Sequence, residues 1–180
     1  MKKIYCYLPN ILSLFRFCLA CFFPFVPAEL WIWFILCGGA SDFLDGWIAR
    51  RWNLTSWQGG LIDAIADKLF VFAALLTFVL AGKFSGWLVP LVIARDLTVA
   101  LIACYALYSR AWDSFRKMDA RWSGKIATAG QFLFMVVIAL IPQFTGLVLY
   151  IAVLISFIAA LDYTKEFTKA LFVRSKSKPV

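Results

Sequence analysis

Asp42 and Asp45 stand three residues apart. Gly46, Ala49 and Arg50 follow directly, and after eight further residues Gly59 opens a stretch that holds Asp63 and Asp67. On a helix, residues three or four apart share a face, so each pair presents both carboxylates on one side, and a hairpin could bring the pairs together. Carboxylates gathered this way repel one another, and burial disfavours their charged form, so the arrangement makes sense when cations occupy it. The chain has no histidine and the motif has no cysteine, leaving only hard oxygen ligands, which favour Mg²⁺ or Mn²⁺ over zinc or copper. Two such ions held among Asp42, Asp45, Asp63 and Asp67 suit phosphoryl transfer, where charge builds on phosphate oxygens and on the attacking and leaving groups. A lone Asp-x-x-Asp inside a membrane would equally well pair with an arginine. Gly46, Ala49, Gly59 and Gly60 belong to the same design, keeping a helical face open for a phosphate ligand or a neighbouring backbone.

The elements that must position these acids are membrane helices. With 63% hydrophobic residues, 16% charged ones and a mean hydropathy of +0.84, a chain of 180 residues could not hide its apolar surface as a soluble globule. The expected fold is an all-α integral membrane protein, one domain over residues 1–180, with six transmembrane helices and a polar cavity open to the cytoplasmic side. The spans are expected at Leu8 to Val26, Leu30 to Ala49, Gly59 to Ala81, Trp87 to Tyr108, Gly124 to Ile141 and Thr145 to Tyr163. Lys2, Lys3, Arg50, Arg51, Arg110, Arg116, Lys117, Arg121, Lys125 and the tail from Lys165 to Lys178 fall on one side of this scheme, with only Lys83 on the other. Both termini and the acidic motif are therefore expected at the cytoplasmic face. The net charge of +8 reads as topology signals and contacts with anionic lipid headgroups, not as a nucleic-acid surface.

Other residues stand out against this apolar background. Arg16 lies inside the first span, where it either snorkels to the interface or faces the polar cavity and neutralises substrate or carboxylate charge. Lys68 follows Asp67 and either pairs with a carboxylate or contacts phosphate. Arg95 and Asp96 sit well inside the fourth span, as an internal ion pair or as part of an acceptor site. Trp112, Phe115, Met118 and Trp122, interleaved with Arg116, Lys117 and Arg121, predict a short helix lying in the membrane interface. Arg110 and Lys125 flank it near the cavity, and the tail with Arg174, Lys176 and Lys178 is expected to be mobile and drawn to headgroups. The five cysteines, scattered over apolar runs with no completed zinc pattern, read as small apolar residues. The amino-terminal apolar run is broken by Pro9, Asn10 and Arg16 and is expected to be retained, not cleaved as a signal peptide.

The run from Asp42 to Asp67 resembles, without a gap, the D-x-x-D-G-x-x-A-R-x8-G-x3-D-x3-D signature of the CDP-alcohol phosphatidyltransferases. Pro9-Asn10-Ile11-Leu12-Ser13-Leu14-Phe15-Arg16 is similar to that family's P-N-x-L-T-x-x-R opening, with Ser13 in place of threonine. Gly124-Lys125-Ile126-Ala127-Thr128 resembles the G-K-x-K-T run of many phosphatidylglycerophosphate synthases, with Ala127 as the departure. The resemblance implies a CDP-diacylglycerol donor, whose pyrophosphate is bridged by two metals on Asp42, Asp45, Asp63 and Asp67. It also implies a nucleotide site at Asn10, Gly46, Ala49, Arg50 and Gly59, with Asp67 as the general base, and a homodimer. Basic residues at Arg95, Arg110, Arg121 and Lys125, with Arg16 and Lys68 nearer the acids, favour an anionic alcohol. On that basis the expected acceptor is sn-glycerol 3-phosphate, giving phosphatidylglycerol phosphate and CMP, and the expected location is a bacterial inner membrane. A cardiolipin synthase using phosphatidylglycerol is the rival within the family, which Arg95-Asp96 and Ala127 fit at least as well, and serine or inositol phosphate stay open as acceptors. A cation transporter or channel is the rival of another class, since intramembrane carboxylates also line ion pathways. A catalytically silent protein of the same fold is a third, against which the complete set of four aspartates argues.

Overall fold

The computed structural model describes residues 8–52, 57–109 and 122–176, and the side-chain surroundings of 11–45, 47–48, 62–109 and 122–172. Every regular element among them is helical: α1 (Leu8–Phe22), α2 (Trp31–Trp52), α3 (Trp57–Leu80), α4 (Val89–Val92), α5 (Ala94–Tyr108), α6 (Trp122–Leu140) and α7 (Thr145–Lys176). Short 3₁₀ turns at Phe23–Phe25, Ala28–Leu30, Gly86–Leu88 and Pro142–Phe144 join several of them.

The breaks have local causes. Pro27 forces the preceding Val26 out of the helical region, to φ −86° and ψ 133°, and the chain turns there. The indole of Trp31 then donates to the Val26 carbonyl at 3.1 Å and closes the corner. At the end of α3 the chain needs a left-handed residue and finds Gly82 at φ 70°. Lys83 N–H reaches back to the Phe78 carbonyl and Gly82 N–H to that of Val79, both at 2.9 Å, so the last carbonyls of the helix are satisfied.

The residues group into two compact units. The first holds the described residues up to Gly86 together with Met135–Thr145. Its core is aromatic: Phe23 lies edge-on to Phe34, Phe70 and Phe78 at centroid distances of 6.0, 5.8 and 5.9 Å, and Trp31 lies edge-on to Phe78 at 5.1 Å. Ile35, Val71, Ala74 and Leu75 are buried in the same unit. The second unit holds Trp87–Phe134 and the described residues from Gly146 onward. Ile102, Ala106, Tyr163 and Phe167 form its buried cluster, with Val99 and Leu171 against it.

Among the described residues two helices are long and apolar enough to cross a membrane, Trp122–Leu140 and the run Pro142–Phe172, or three spans if the bent pair Gly86–Val92 and Ala94–Tyr108 counts as one. The remaining helices depart from simple spans for stated reasons. α1 has 15 residues, about 22 Å of rise against the ~30 Å of a bilayer core. α2 and α3, with 22 and 24 residues, have the length but place Asp42, Asp45, Asp63, Asp67 and Lys68 where a span is apolar. Large apolar side chains such as Leu80, Leu101, Leu133, Leu147 and Phe157 are exposed, as lipid-facing residues are.

Two expectations need correction. The fourth apolar run is not one straight helix, because it bends by 62° at Ile93. The helix of the sixth span does not end near Tyr163, since α7 continues to Lys176 and carries Lys165, Lys169, Arg174 and Lys176 in helical register. The interfacial helix expected around Trp112 and residues 53–56 of the turn between α2 and α3 lie outside the described residues.

Gly38 tests the packing of the first unit. A Cβ there would come within 2.5 Å of the Phe70 ring tip, and Phe70 is fully buried. Gly38→Ala is expected to destabilise by about 1–3 kcal/mol through overpacking. Thermal unfolding in detergent should show the loss, and Phe70→Leu in the same chain should recover part of it.

Candidate functional site

α2 presents Asp42 and Asp45 one turn apart and α3 presents Asp63, so that one oxygen of each lies within 4.8 Å of the other two. Arg16 of α1 enters this group and is fully buried. Its Nη1 lies 3.1 Å from both Asp42 Oδ1 and Asp63 Oδ1, and its Nη2 donates to Asp45 Oδ2. Nε donates to Ser41 Oγ at 3.2 Å, and Ser41 in turn donates to the Gly38 carbonyl at 2.7 Å. Ser13, one turn before Arg16, donates to Asp63 Oδ1 at 3.2 Å. The P-N-x-L-S-x-x-R run thus sends Ser13 and Arg16 from α1 to the acids, and Arg16 pairs with carboxylates instead of snorkelling.

Asp67 stands outside that group of three. It is buried, with Oδ2 3.0 Å from Lys68 Nζ, while its buried Oδ1 has no hydrogen-bond partner among the described residues. Asp45 is buried, and Asp42 and Asp63 are half-buried, which leaves the group accessible from one side. The donor set fits a hard divalent ion: carboxylate oxygens alone, gathered from two helices, with an orphaned carboxylate oxygen one turn further along α3. These residues could hold a metal ion. The side chains at Asn10, Arg50, Arg110 and Arg121, and the surroundings of Gly46, Ala49 and Gly59, lie outside the described residues.

The second unit contains a polar network built on the bend at Ile93. Interrupting the helix frees the Val92 carbonyl and the Arg95 N–H, and buried groups that lose their helical partners must find others. Gln131 Nε2 of α6 donates to the Val92 carbonyl at 3.1 Å, and Arg95 N–H donates to Ser156 Oγ of α7 at 3.1 Å. Gln131 Nε2 also donates to Asp96 Oδ2 at 2.8 Å, while Asp96 Oδ1 receives Arg95 Nη1 at 2.7 Å. Arg95 Nη2 lies 3.4 Å from Tyr163 Oη, with the guanidinium carbon 5.2 Å from that ring's centre. Arg95 Nε and Gln131 Oε1 are buried without hydrogen-bond partners among the described residues. A Cβ at Gly124 would come within 2.5 Å of Tyr163 Oη and 2.7 Å of Arg95 Nη2, so this glycine makes room for both. Lys125 is exposed, with Nζ 4.9 Å from the centre of the Trp122 ring. Asp162 accepts from Ser123 Oγ at 2.6 Å.

Sequence reasoning missed Ser41, Gln131, Ser156 and Tyr163. Gln131 and Ser156 did leave a signal, as polar groups inside otherwise apolar helical runs. Ser41 adjoins Asp42 and offered none beyond that position.

Residues 6–158 match the family model for CDP-alcohol phosphatidyltransferases. The chain is 30% identical over 176 residues to CDP-diacylglycerol–glycerol-3-phosphate 3-phosphatidyltransferases from Pectobacterium atrosepticum and Sodalis glossinidius, covering 87% of this chain and 92% of each relative. It is 29% identical over 177 residues to the protein of that name from Yersinia pestis (strain Pestoides F), with the same coverage. The chain belongs to the CDP-alcohol phosphatidyltransferase family. It is an integral membrane phosphatidyltransferase.

The network in the second unit makes a stability prediction. Asp96→Ala leaves the Arg95 guanidinium buried without its carboxylate and is expected to cost about 3–5 kcal/mol. Lys169→Ala removes an exposed pair with Glu166 and is expected to cost less than about 1 kcal/mol. Unfolding of both variants in matched detergent distinguishes the two cases.

Proposed function

We propose that this protein transfers the phosphatidyl group of CDP-diacylglycerol to sn-glycerol 3-phosphate, forming phosphatidylglycerol phosphate and releasing CMP. The carrying observation is the gathered carboxylates of Asp42, Asp45 and Asp63 with Asp67 Oδ1, unpartnered among the described residues, one turn beyond. The curated relatives carry that reaction in their names and are matched over nearly their whole length, which supports the choice of acceptor.

Asp42, Asp45, Asp63 and Asp67 would hold two divalent ions, Mg²⁺ or Mn²⁺, at the donor pyrophosphate. When bound, such ions supply Lewis-acid neutralisation of phosphate charge. The chain's own residues do the rest. The acceptor oxygen attacks the phosphorus that carries the lipid, the bond from that phosphorus to the CMP oxygen breaks, and Asp67 Oδ1 takes the hydroxyl proton. Lys68 fixes the other oxygen of Asp67 and so aims Oδ1 away from itself. Arg95, with Lys125, Arg110 and Arg121, would supply cationic groups for an acceptor phosphate. Asn10, Gly46, Ala49, Arg50 and Gly59 take the nucleotide. The whole chain acts as one membrane domain of six spans with both termini cytoplasmic, as a homodimer in a bacterial inner membrane. The lipid tails of the donor then remain in the bilayer throughout transfer.

Purified protein given radiolabelled CDP-diacylglycerol and each alcohol separately should make phosphatidylglycerol phosphate from glycerol 3-phosphate, and EDTA should abolish the product. Turnover with phosphatidylglycerol alone would replace this acceptor with that of a cardiolipin synthase. Transfer undiminished by excess EDTA would remove the two-ion scheme.

Asp67→Asn keeps the side chain's shape but removes its charge and basic oxygen. It should insert and bind donor normally when metal is supplied, yet transfer about a hundred to ten thousandfold more slowly. Asp162→Asn, whose partner is Ser123, should transfer at a near-normal rate.

A further inference from the structure

Arg16 makes more contacts with the acids than a residue that merely lines a cavity. Nη1 is 3.1 Å from an oxygen on α2 and 3.1 Å from an oxygen on α3, so it occupies the gap between the two helices that carry the motif. Nη2 reaches the buried Asp45, and Nε is tied back to Ser41, leaving the guanidinium held on three edges. Without a cation there, three carboxylates with oxygens within 4.8 Å of one another would repel across α2 and α3. We propose that Arg16 is a resident counter-cation that keeps Asp42, Asp45 and Asp63 gathered until a divalent ion takes its place between them, so that metal entry and withdrawal of the guanidinium are a single exchange. This rests on the reading of the cluster as a metal site.

The exchange follows from size. An ion of the Mg²⁺ class bonds oxygen at about 2.0–2.1 Å, so oxygens it bridges lie no more than ~4.2 Å apart. Nη1 meets Asp42 Oδ1 and Asp63 Oδ1 at 3.1 Å each, so a metal held between those two oxygens would take the place that the guanidinium now fills. A salt-bridged arginine holds the acids in place without satisfying them as a metal would, since the half-buried Asp42 and Asp63 keep access to water. The site is thereby assembled before metal arrives, at the cost of competition for it. Ser41 sets the strength of that competition through its bond to Nε, and it is a positioning residue in this scheme.

The test is a Mn²⁺ titration of chelator-stripped protein in detergent, followed by the spin-resonance signal of the free ion. Arg16→Gln is expected to bind Mn²⁺ about tenfold tighter than wild type, the scale on which neighbours of metal ligands usually act. Its metal-free form should melt at a lower temperature than wild type, with the difference narrowing on saturation. Ser41→Ala leaves every formal charge in place, so a tighter Mn²⁺ Kd there, by roughly two- to tenfold, reports a loosened guanidinium and not a change in net charge. Should Arg16→Gln not fold without metal, Ser41→Ala decides alone. Unchanged or weaker Mn²⁺ binding in the variants overturns the exchange while leaving the metal reading intact. A wild-type protein that binds no Mn²⁺ overturns both, and the transfer assay then reports separately on the enzyme.

Discussion

A charge inside an apolar medium has to be compensated where it stands, because water cannot do it, and the first unit is arranged around one such compensation. Arg16 is fully buried and so is Asp45 beside it. Meeting that demand fixes how α1, α2 and α3 approach: α1 must bring position 16 level with positions 42, 45 and 63, and the intervening face must be narrow enough for a guanidinium to touch both partner helices. Small residues supply the narrowness. Gly38 lets α2 lie against the ring of Phe70, and one turn later Ser41 is small enough to sit beside Arg16 while accepting from it. The aromatic cluster around Phe23 lies just past the carboxyl end of α1, about two turns from Arg16, and packs the helices from there.

The same rule acts on the backbone in the second unit. A helix interrupted in a low-dielectric region leaves carbonyls and amides without helical partners, each costly if left so. Gln131 and Ser156, from two different helices, meet those groups at Val92 and Arg95. Because Gln131 also holds Asp96, the residue that repairs the backbone is the one that orients the acid paired with Arg95. Asp96 further benefits from its place in the first turn of α5, where the positive end of the helix dipole favours a carboxylate.

The acidic register was readable because helical periodicity maps spacing in sequence onto direction in space, and Asp42, Asp45 and Asp63 do converge. The presence of an arginine inside the first apolar run was equally plain. Its partners were not, since they depend on the mutual rotation of three helices and no local pattern encodes that. The bend at Ile93 was hidden for a different reason. Pro90 sits in the first turn of a helix, where proline is tolerated, and the residues on either side of Ile93 are ordinary helix formers. What marks the bend lies about forty and sixty residues downstream, at Gln131 and Ser156. The extension of α7 was legible in principle: Lys165, Glu166 and Lys169 already have the spacing of an exposed helical face.

That dependence on later residues bears on biosynthesis. The ribosome delivers Val92 and Arg95 well before Gln131, and Gln131 before Ser156. Until the later helices arrive, the broken form of the fourth apolar run lacks the partners that Gln131 and Ser156 give to the Val92 carbonyl and the Arg95 amide, whereas a continuous helix would satisfy both internally. The nascent segment is therefore more stable straight, and the bend belongs to assembly, not to insertion. Arg95 and Asp96 reach their final geometry only once α6 and α7 have packed, which makes this part of the protein among the last to mature after translation.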